Sequence, residues 1–311
     1  MRSSDMAFTA PDSVSACLVV RNEQAVVERC LRSVHDVVDE IVFVHDGECQ
    51  DQTLEIAARY GCRVYTRPLV GHAEASTVFA YEQARGQWIL SIDADEYLSD
   101  PLREQLRQLV RDERVNGYEL LWRMWDGRRY ITENGPYKLA LFRRSSVHLL
   151  GVIHGMEHVD PPIERIDLQL EHRPQYNNLA IRTVLTKWRR WARINAREFL
   201  MPFAELPKFN WQASSDWPRR RRILNSLAPL LFLPYMPAVF AINVARERGV
   251  YSWRENLRMS LGQAVYAGMV QFYVAKYRYL GGGDDAALEP PRPGAAARAD
   301  AERRSSGAAL D

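Results

Sequence analysis

The stretch Trp88-Ile-Leu-Ser-Ile-Asp-Ala-Asp-Glu96 limits the fold more than any other. An apolar run too short for an ordinary helix ends in three carboxylates among four residues. It reads as a buried strand whose C-terminal end delivers acid to a crevice. Asp93 and Asp95 are two apart, so a regular strand puts them on one face, and a kink at the strand end turns both toward a single ion. A hard cation such as Mg2+ or Mn2+, held by one or two carboxylates, completes its shell with water and phosphate oxygens. The alternative is a solvated acidic turn after a core strand, with the acids opening the next helix.

The preceding residues supply the neighbours such a strand needs. Val14 to Val20 is an apolar strand running into Arg21-Asn22-Glu23, and Val27, Leu31, Val34 and Val38 then recur at helical spacing over Glu23 to Val38. Ile41 to Val44 is a second buried strand ending in His45-Asp46-Gly47. A short helix carrying Leu54, Ala57 and Ala58 stops at Gly61, and Arg63 to Thr66 is a third strand. Ala73 to Ala84 is small and helix-compatible. This alternation predicts an α/β fold, a doubly wound and mostly parallel sheet with ligand groups outside the C-terminal strand ends. That rule gathers Arg21, Asn22, Glu23, Asp46, Asp93 and Asp95. Asp51 sits where an N-cap belongs, and Asn22 and Glu23 also suit an ordinary helix start.

Composition closes off other classes. The 311 residues carry a formal net charge of +2, too little for a generally basic nucleic-acid surface. No nucleic-acid partner is expected. Cys17, Cys30, Cys49 and Cys62 form no C-x-x-C pair and read as reduced core thiols. Met1 to Asp12 is polar and without a signal-peptide run, so the catalytic part is expected in the cytoplasm.

Three ordered motifs, Ala16-Cys-Leu-Val-Val-Arg-Asn-Glu23, Ile41-Val-Phe-Val-His-Asp-Gly47 with Asp51 and Thr53, and Gly86-Gln-Trp-Ile-Leu-Ser-Ile-Asp-Ala-Asp-Glu96, together resemble the family 2 glycosyltransferases. The resemblance implies a nucleotide-sugar-binding α/β fold, a divalent metal (Mg2+ or Mn2+), and transfer of a sugar with inversion. It also implies Asn22 and Glu23 beside the nucleoside, Asp46 at the base, Asp93 near the ribose, and Asp95 holding the metal on the diphosphate. The chain departs from the pattern at several places. Asp46-Gly-Glu-Cys-Gln-Asp51 is one residue longer than the usual Asp-Gly-Ser-Thr-Asp loop, and Ser76-Thr77-Val78 stands where many relatives have Arg-Asn.

Past Glu96, Ser99-Asp100-Pro101 opens a helix with Leu102, Leu106, Leu109 and Val110 on its buried face. Tyr118 to Trp125, Ile131 to Thr132 and Lys138 to Phe142 read as strands covering the acceptor side. Lys138-Leu-Ala-Leu-Phe-Arg-Arg144 and Gly151-Val-Ile-His154 resemble the family segment in which a Glu follows the His, but this chain has Gly155 there. The candidate catalytic bases are Glu157 first, His154 second and Asp126 third. Lys138, Arg143 and Arg144 are candidate phosphate contacts, or a solvated strand end.

The remaining chain changes character. Lys187-Trp-Arg-Arg-Trp-Ala-Arg193 is basic and aromatic, and Lys187, Arg190 and Trp191 are spaced like the Gln-x-x-Arg-Trp motif of processive family members without its Gln. Arg219 to Arg222 precede an uncharged run, Ile223 to Ala245, long enough for a span but interrupted by Pro229, Pro234 and Pro237. A broken or interfacial insertion is expected, or a kinked helix pair packed on the catalytic domain. Trp253 to Leu280 is a second helical segment. The reading divides the chain into a disordered start (1–12), a catalytic domain (13–175), a helical membrane-associating region (176–280) and a disordered tail (281–311). The expected reaction is metal-dependent sugar transfer from a nucleotide-diphosphate donor to a lipid-linked or envelope-glycan acceptor, at the cytoplasmic membrane face. A sugar-phosphate nucleotidyltransferase and an inactive nucleotide-binding scaffold are the alternatives.

Overall fold

The computed structural model describes residues 10–132, 134–155, 157–174, 184–211 and 234–280. Residues 1–9 of the expected disordered start, the tail 281–311, the arginine run 219–222 and the first part of the uncharged run (223–233) lie outside the described residues.

Alternation within the first strands explains why helices pack on both faces. Strands β1 (Val14–Val20), β2 (Glu40–Asp46), β3 (Arg63–Arg67) and β4 (Trp88–Ser91) are parallel, in the order β3-β2-β1-β4. Ala16, Leu18, Ile41, Phe43, Trp88 and Leu90 point into one core, which is closed by α1 (Val27–Val34), α2 (Thr53–Arg59) and α4 (Asp100–Leu109). Cys17, Val42, Val44 and Ile89 point into the other, closed by Val78, Ala80 and Tyr81 of α3 (Ala73–Gln83). A strand apolar at both parities is buried on both faces, as a doubly wound sheet requires. The first helix is shorter than its periodicity predicts, because Glu23 to Val26 form a turn that carries the chain off the strand end.

The second half of the sheet is mixed. Beyond β4 the order continues β7 (Tyr137–Arg143), β6 (Gly117–Leu121), β10 (Ile163–His172) and β5 (Glu96–Leu98), completing eight strands. β7 is antiparallel to both of its neighbours, whereas β10 is parallel to β6. A separate small sheet joins β8 (Val147–Leu150), β9 (His158–Val159) and β11 (Lys208–Phe209).

Two further helices cover the α3 side. A π-helical turn (Val184–Trp188) leads into α5 (Arg189–Leu200), whose Ala192 and Ala196 let it approach Tyr266, Val270 and Tyr273 of α7 (Trp253–Tyr279). Ser252 starts α7 by accepting the Glu255 N–H at 3.4 Å, as its Ser-x-x-Glu sequence directs. Between them a helix, α6, covers 234–246. Among the described residues no helix is long and apolar enough to cross a membrane. The four cysteines are free, but only Cys17 and Cys30 are core thiols; Cys49 and Cys62 are half-buried.

Candidate active site

The C-terminal edge of β1, β2 and β4 brings the sequence motifs together. At the end of β1, Asn22 takes a left-handed backbone (φ 52°), a conformation Asn tolerates better than most residues. The turn is held by its neighbours. The Asn22 N–H donates to His45 Nε2 (3.3 Å) and its side-chain oxygen accepts the Gln50 N–H (2.8 Å). His45 Nδ1 lies 2.9 Å from the Gly47 carbonyl, which assigns the proton to Nδ1. Arg21 Nη1 and Asn22 Nδ2 are buried and, among the described residues, have no hydrogen-bond partner at this strand end.

Asp46 ends β2 almost completely buried and accepts the N–H groups of Val70 and Gly71, both at 3.0 Å. Ser76, in the helix position that departs from the family pattern, points its hydroxyl at Asp46 from 3.5 Å. Gly71 sits at φ 90°, a backbone that favours glycine, and a Cβ there would meet the Arg190 guanidinium at 2.7 Å. Arg190 in turn donates to the Gly71 carbonyl. The 70–71 loop is therefore gripped by Asp46 below and by α5 above.

Asp51 is structural, though one residue earlier than an N-cap. Its carboxylate accepts the N–H groups of Thr53 (2.9 Å) and Gln24 (3.2 Å), tying the β1 and β2 loops together.

The acids after β4 divide into two environments. Asp93 and Glu96 share Lys138, whose ammonium lies 2.9 Å from Asp93 and 2.8 Å from both oxygens of fully buried Glu96. Glu96 also accepts from the Asp93 N–H (2.9 Å) and the Trp122 indole. Burial still pushes the Glu96 carboxyl up to about 6 against the pull of Lys138. Lys138 and Asp93 each favour their charged forms, because the pair outweighs the burial that opposes it. Lys138 is thus already the counter-ion of two carboxylates, which corrects its reading as a free phosphate contact.

Asp95 faces another way. Its carboxylate lies 3.6 Å from His172 Nε2, and its backbone oxygen accepts the Arg173 N–H at 2.9 Å. His172 ends β10, stacks on Trp122 at 4.3 Å, and has a buried Nδ1 with no partner among the described residues. Across the edge, Glu23 is raised to about 7 by burial and then by the charge of Asp95, with Asp51 and Asp93 adding to it. Lys187, from the turn before α5, is the charge that works in the opposite direction on Glu23. Glu23, Asp95 and His172 thus form a site short of positive charge. Among the described residues, no three His, Cys, Asp or Glu side chains surround one metal position. Asp95 with His172 fits a cation whose remaining ligands come from substrate and water.

The candidate bases separate clearly. Glu157 accepts the Tyr81 hydroxyl at 2.7 Å and that of Ser91 at 3.4 Å, which fixes it at the end of β4. His154, also left-handed (φ 57°), gives its N–H to Glu74 (2.7 Å) and packs between Trp191 and Tyr266, a setting that lowers its pKa through burial. Asp126 is a turn cap. One of its oxygens accepts the Arg128 and Arg129 N–H groups at 2.8 and 2.9 Å, and these bonds hold its carboxyl below the usual range. That role corrects Asp126 as a base. Arg143 is corrected as well. It pairs with Trp88 at the opposite edge of the sheet, donates to the carbonyls of Val115 and Asp112, and covers the Trp88 ring at 4.5 Å.

With this geometry in view, residues 15–155 match the profile described as Glycosyl transferase family 2. The chain carries a family 2 glycosyltransferase domain. The domain is 34% identical over 105 residues to an uncharacterized glycosyltransferase of Rickettsia bellii, covering 34% of this chain and 35% of that one. It is 32% identical over 140 residues to the lipopolysaccharide core biosynthesis glycosyltransferase LpsC of Rhizobium meliloti, covering 42% and 51%. The matches to the Rickettsia relatives span about a third of their length. TarS of S. aureus in complex with UDP-GlcNAc shares 14% identity at a TM-score of 0.43, over 86% of this chain and 91% of that one, too distant to carry an argument.

Two groups at the candidate site escaped the sequence reading. His172 lies in a strand that no motif marked. The second is a buried chain in which His72 Nδ1 meets Glu74 and Nε2 meets Glu198, each at 3.0 Å, while Glu198 accepts the Ile153 N–H at 2.9 Å. Burial opposes charge on His72, but the bonds to Glu198 and Glu74 outweigh it and hold the imidazolium up to about 9. This chain locks α5 to the 151–155 segment, and so brings Lys187, Arg190 and Trp191 over the site. Their spacing was the only signal in the sequence.

Proposed function

We propose that this chain transfers a sugar, with inversion and with Mg2+ or Mn2+, from a nucleotide-diphosphate donor to a lipid-linked or envelope-glycan acceptor at the cytoplasmic membrane face. The carrying observation is the charge-deficient group Glu23, Asp95 and His172 at the ends of β1, β4 and β10. A nucleoside diphosphate leaves readily only when its developing charge is neutralised, which a bound cation supplies. Asp95 and His172 would hold that cation. Arg21, Asn22 and Glu23 would line the nucleoside, beside the loop that Asp46 fixes. The proposal keeps Glu157 as the base: its carboxylate would take the proton of the acceptor hydroxyl while that oxygen bonds to the anomeric carbon. The bond from that carbon to the diphosphate breaks, and the electron pair leaves with the diphosphate. His154 is the weaker candidate, because its ring is packed between two aromatic residues.

Membrane contact is the second part of the reading. Trp253, Leu257 and Leu261 are exposed along α7 next to Arg254 and Arg258, a face suited to an anionic lipid surface. The catalytic part is tested by incubating the full chain with a panel of nucleotide sugars and either metal, reading released nucleoside diphosphate. Asp95→Ala indistinguishable from wild type in that assay would sink it. Flotation with anionic and neutral vesicles tests the membrane part, and equal recovery with both at low salt would remove it.

A further inference from the structure

On the side of Asp95 away from the nucleotide loops, the ends of β6 and β10 and the hairpin Trp125 to Tyr130 build a wall of alternating cations and rings. Arg123 Cζ lies 4.1 Å from the Tyr130 ring centroid. Arg173 Cζ lies 5.1 Å from the same ring and 4.5 Å from that of Trp125. Trp125 and Tyr130 meet edge to face at 5.1 Å and are paired across the hairpin. Gln169 braces the wall from β10: its oxygen accepts from Arg123 Nη2 and its amide nitrogen donates to the Tyr130 hydroxyl at 3.0 Å. Arg173 Nε donates to that hydroxyl at 3.2 Å and to Glu171 at 3.3 Å.

The charges in this wall do not balance. Two guanidinium groups share one tyrosine ring, and among the described residues Glu171 is the one carboxylate in contact with either. Asp126, at the neighbouring turn, is committed to the N–H groups of Arg128 and Arg129. Arg123 Nε is buried and, among the described residues, has no hydrogen-bond partner to offset its desolvation. Ring stacking pre-orients both guanidinium planes, and a planar donor fork held in place is suited to phosphate oxygens. The wall is also joined to the reaction centre, because the Arg173 N–H holds the Asp95 carbonyl at 2.9 Å.

We propose that this wall is an anion subsite for the acceptor, and that the acceptor carries a phosphate group near the hydroxyl that receives the sugar. The proposal rests on the glycosyl-transfer reading for the word acceptor; the anion site itself does not. Trp125 and Tyr130 offer ring faces and edges to the sugar that bears the phosphate, and Arg123 with Arg173 take its oxygens. Such a phosphate is either an ester on a soluble glycan or the link to a lipid. The bridge from Thr132, just beyond the hairpin, to Tyr251, two residues before exposed Trp253, ties the wall to the start of α7.

Calorimetric titration of the full chain with inorganic phosphate, without nucleotide or metal, tests the site free of any turnover. Saturable binding is expected, weakened at least tenfold in Arg123→Gln, largely kept in Arg123→Lys, and unchanged in Arg165→Gln, an exposed control paired with Glu119. If Arg123→Gln fails to fold by circular dichroism, Arg173→Gln replaces it with the same expectation. Equal affinity in wild type and the folded Arg123→Gln or Arg173→Gln overturns the proposal. So does binding that is lost in Arg21→Gln and intact in both wall variants, since the phosphate then sits on the nucleotide side. Arg123-dependent binding to phosphatidylcholine vesicles containing phosphatidic acid assigns the lipid-borne source, and dependence with free phosphate alone assigns the soluble ester. Loss of donor turnover in every preparation, with phosphate binding still dependent on Arg123, overturns the transferase reading and leaves the anion site standing.

Discussion

Two acidic groups lie within a few residues of each other at the end of β4, and the chain treats them oppositely. Asp93 and Glu96 are supplied with a buried lysine, an indole N–H and a backbone N–H. Asp95 has a histidine 3.6 Å away, and Glu23 is raised to about 7 by burial and then by the charge of Asp95, with only Lys187 working the other way among its main influences. A carboxylate that is fully paired stabilises the fold, and one left short of positive charge costs stability until a ligand supplies it. Acid count alone therefore does not mark a cation site. On the proposed reading the difference in compensation favours Asp95, the residue that the resemblance also names for the metal, over Asp93.

The largest effect should come from breaking the compensated group. Lys138→Met leaves Glu96 buried beside Asp93 with no counter-ion and should destabilise the fold by about 3–5 kcal/mol in urea unfolding; a loss below about 1 kcal/mol would erase the contrast. Asp95→Asn should do the reverse, lowering donor turnover by about 10²–10³-fold, or about 2.7–4 kcal/mol, while the melting temperature holds or rises. His72 extends the comparison to a second compensated cation, flanked by Glu74 and Glu198. Replacing it with Gln should cost about 1.5–3 kcal/mol, because hydrogen bonds to charged groups are lost. Its folded pKa is raised, so its stabilisation is complete below the ordinary histidine value and fades as pH climbs through about 9.

A smaller effect belongs to Glu23, whose carboxyl is raised from 4.5 to about 7. Between those values the folded chain holds a proton that the unfolded chain has released, so stability should fall as pH rises through that window. Mg2+ or Mn2+ should restore the melting temperature more at pH 8 than at pH 5, and Glu23→Gln should flatten the profile. A profile identical in wild type and Glu23→Gln would detach Glu23 from the site. The smallest effect is expected at Arg143. Its Gln variant should lose about 1 kcal/mol of stability with its carbonyl contacts and leave turnover of the folded protein unchanged, because it lies at the other edge of the sheet.

The first half of the molecule was legible because its strands are buried on both faces. Runs such as Ala16-Cys-Leu-Val-Val20 and Ile41-Val-Phe-Val44 have no polar face to mistake, and a parallel sheet puts their C-terminal ends, with Arg21 to Glu23, Asp46 and Asp93 to Asp95, along one edge. The second half was harder for a specific reason. β10 begins exposed and ends buried, so neither alternation nor an apolar run marked it, and His172 went unseen at its end. Asp126 looked like a loop acid, and only the hairpin geometry turned it into a cap.

The order of residues determined that this chain would form a two-faced sheet with acids at the end of β4, since apolar periodicity and strand length are local properties that no partner can override. Strand direction is not local. β7 runs antiparallel to β4, which brings Lys138 to the acids and carries Arg143 to the far side, although five residues separate them in the same apolar run. Likewise His72 acquires its charge from Glu198, 126 positions away, because α5 folds back over the 70–72 loop. Which carboxylate is paired and which is left open is settled by long-range electrostatics. Those depend on where each counter-ion finally lies, and the tertiary structure alone decides that.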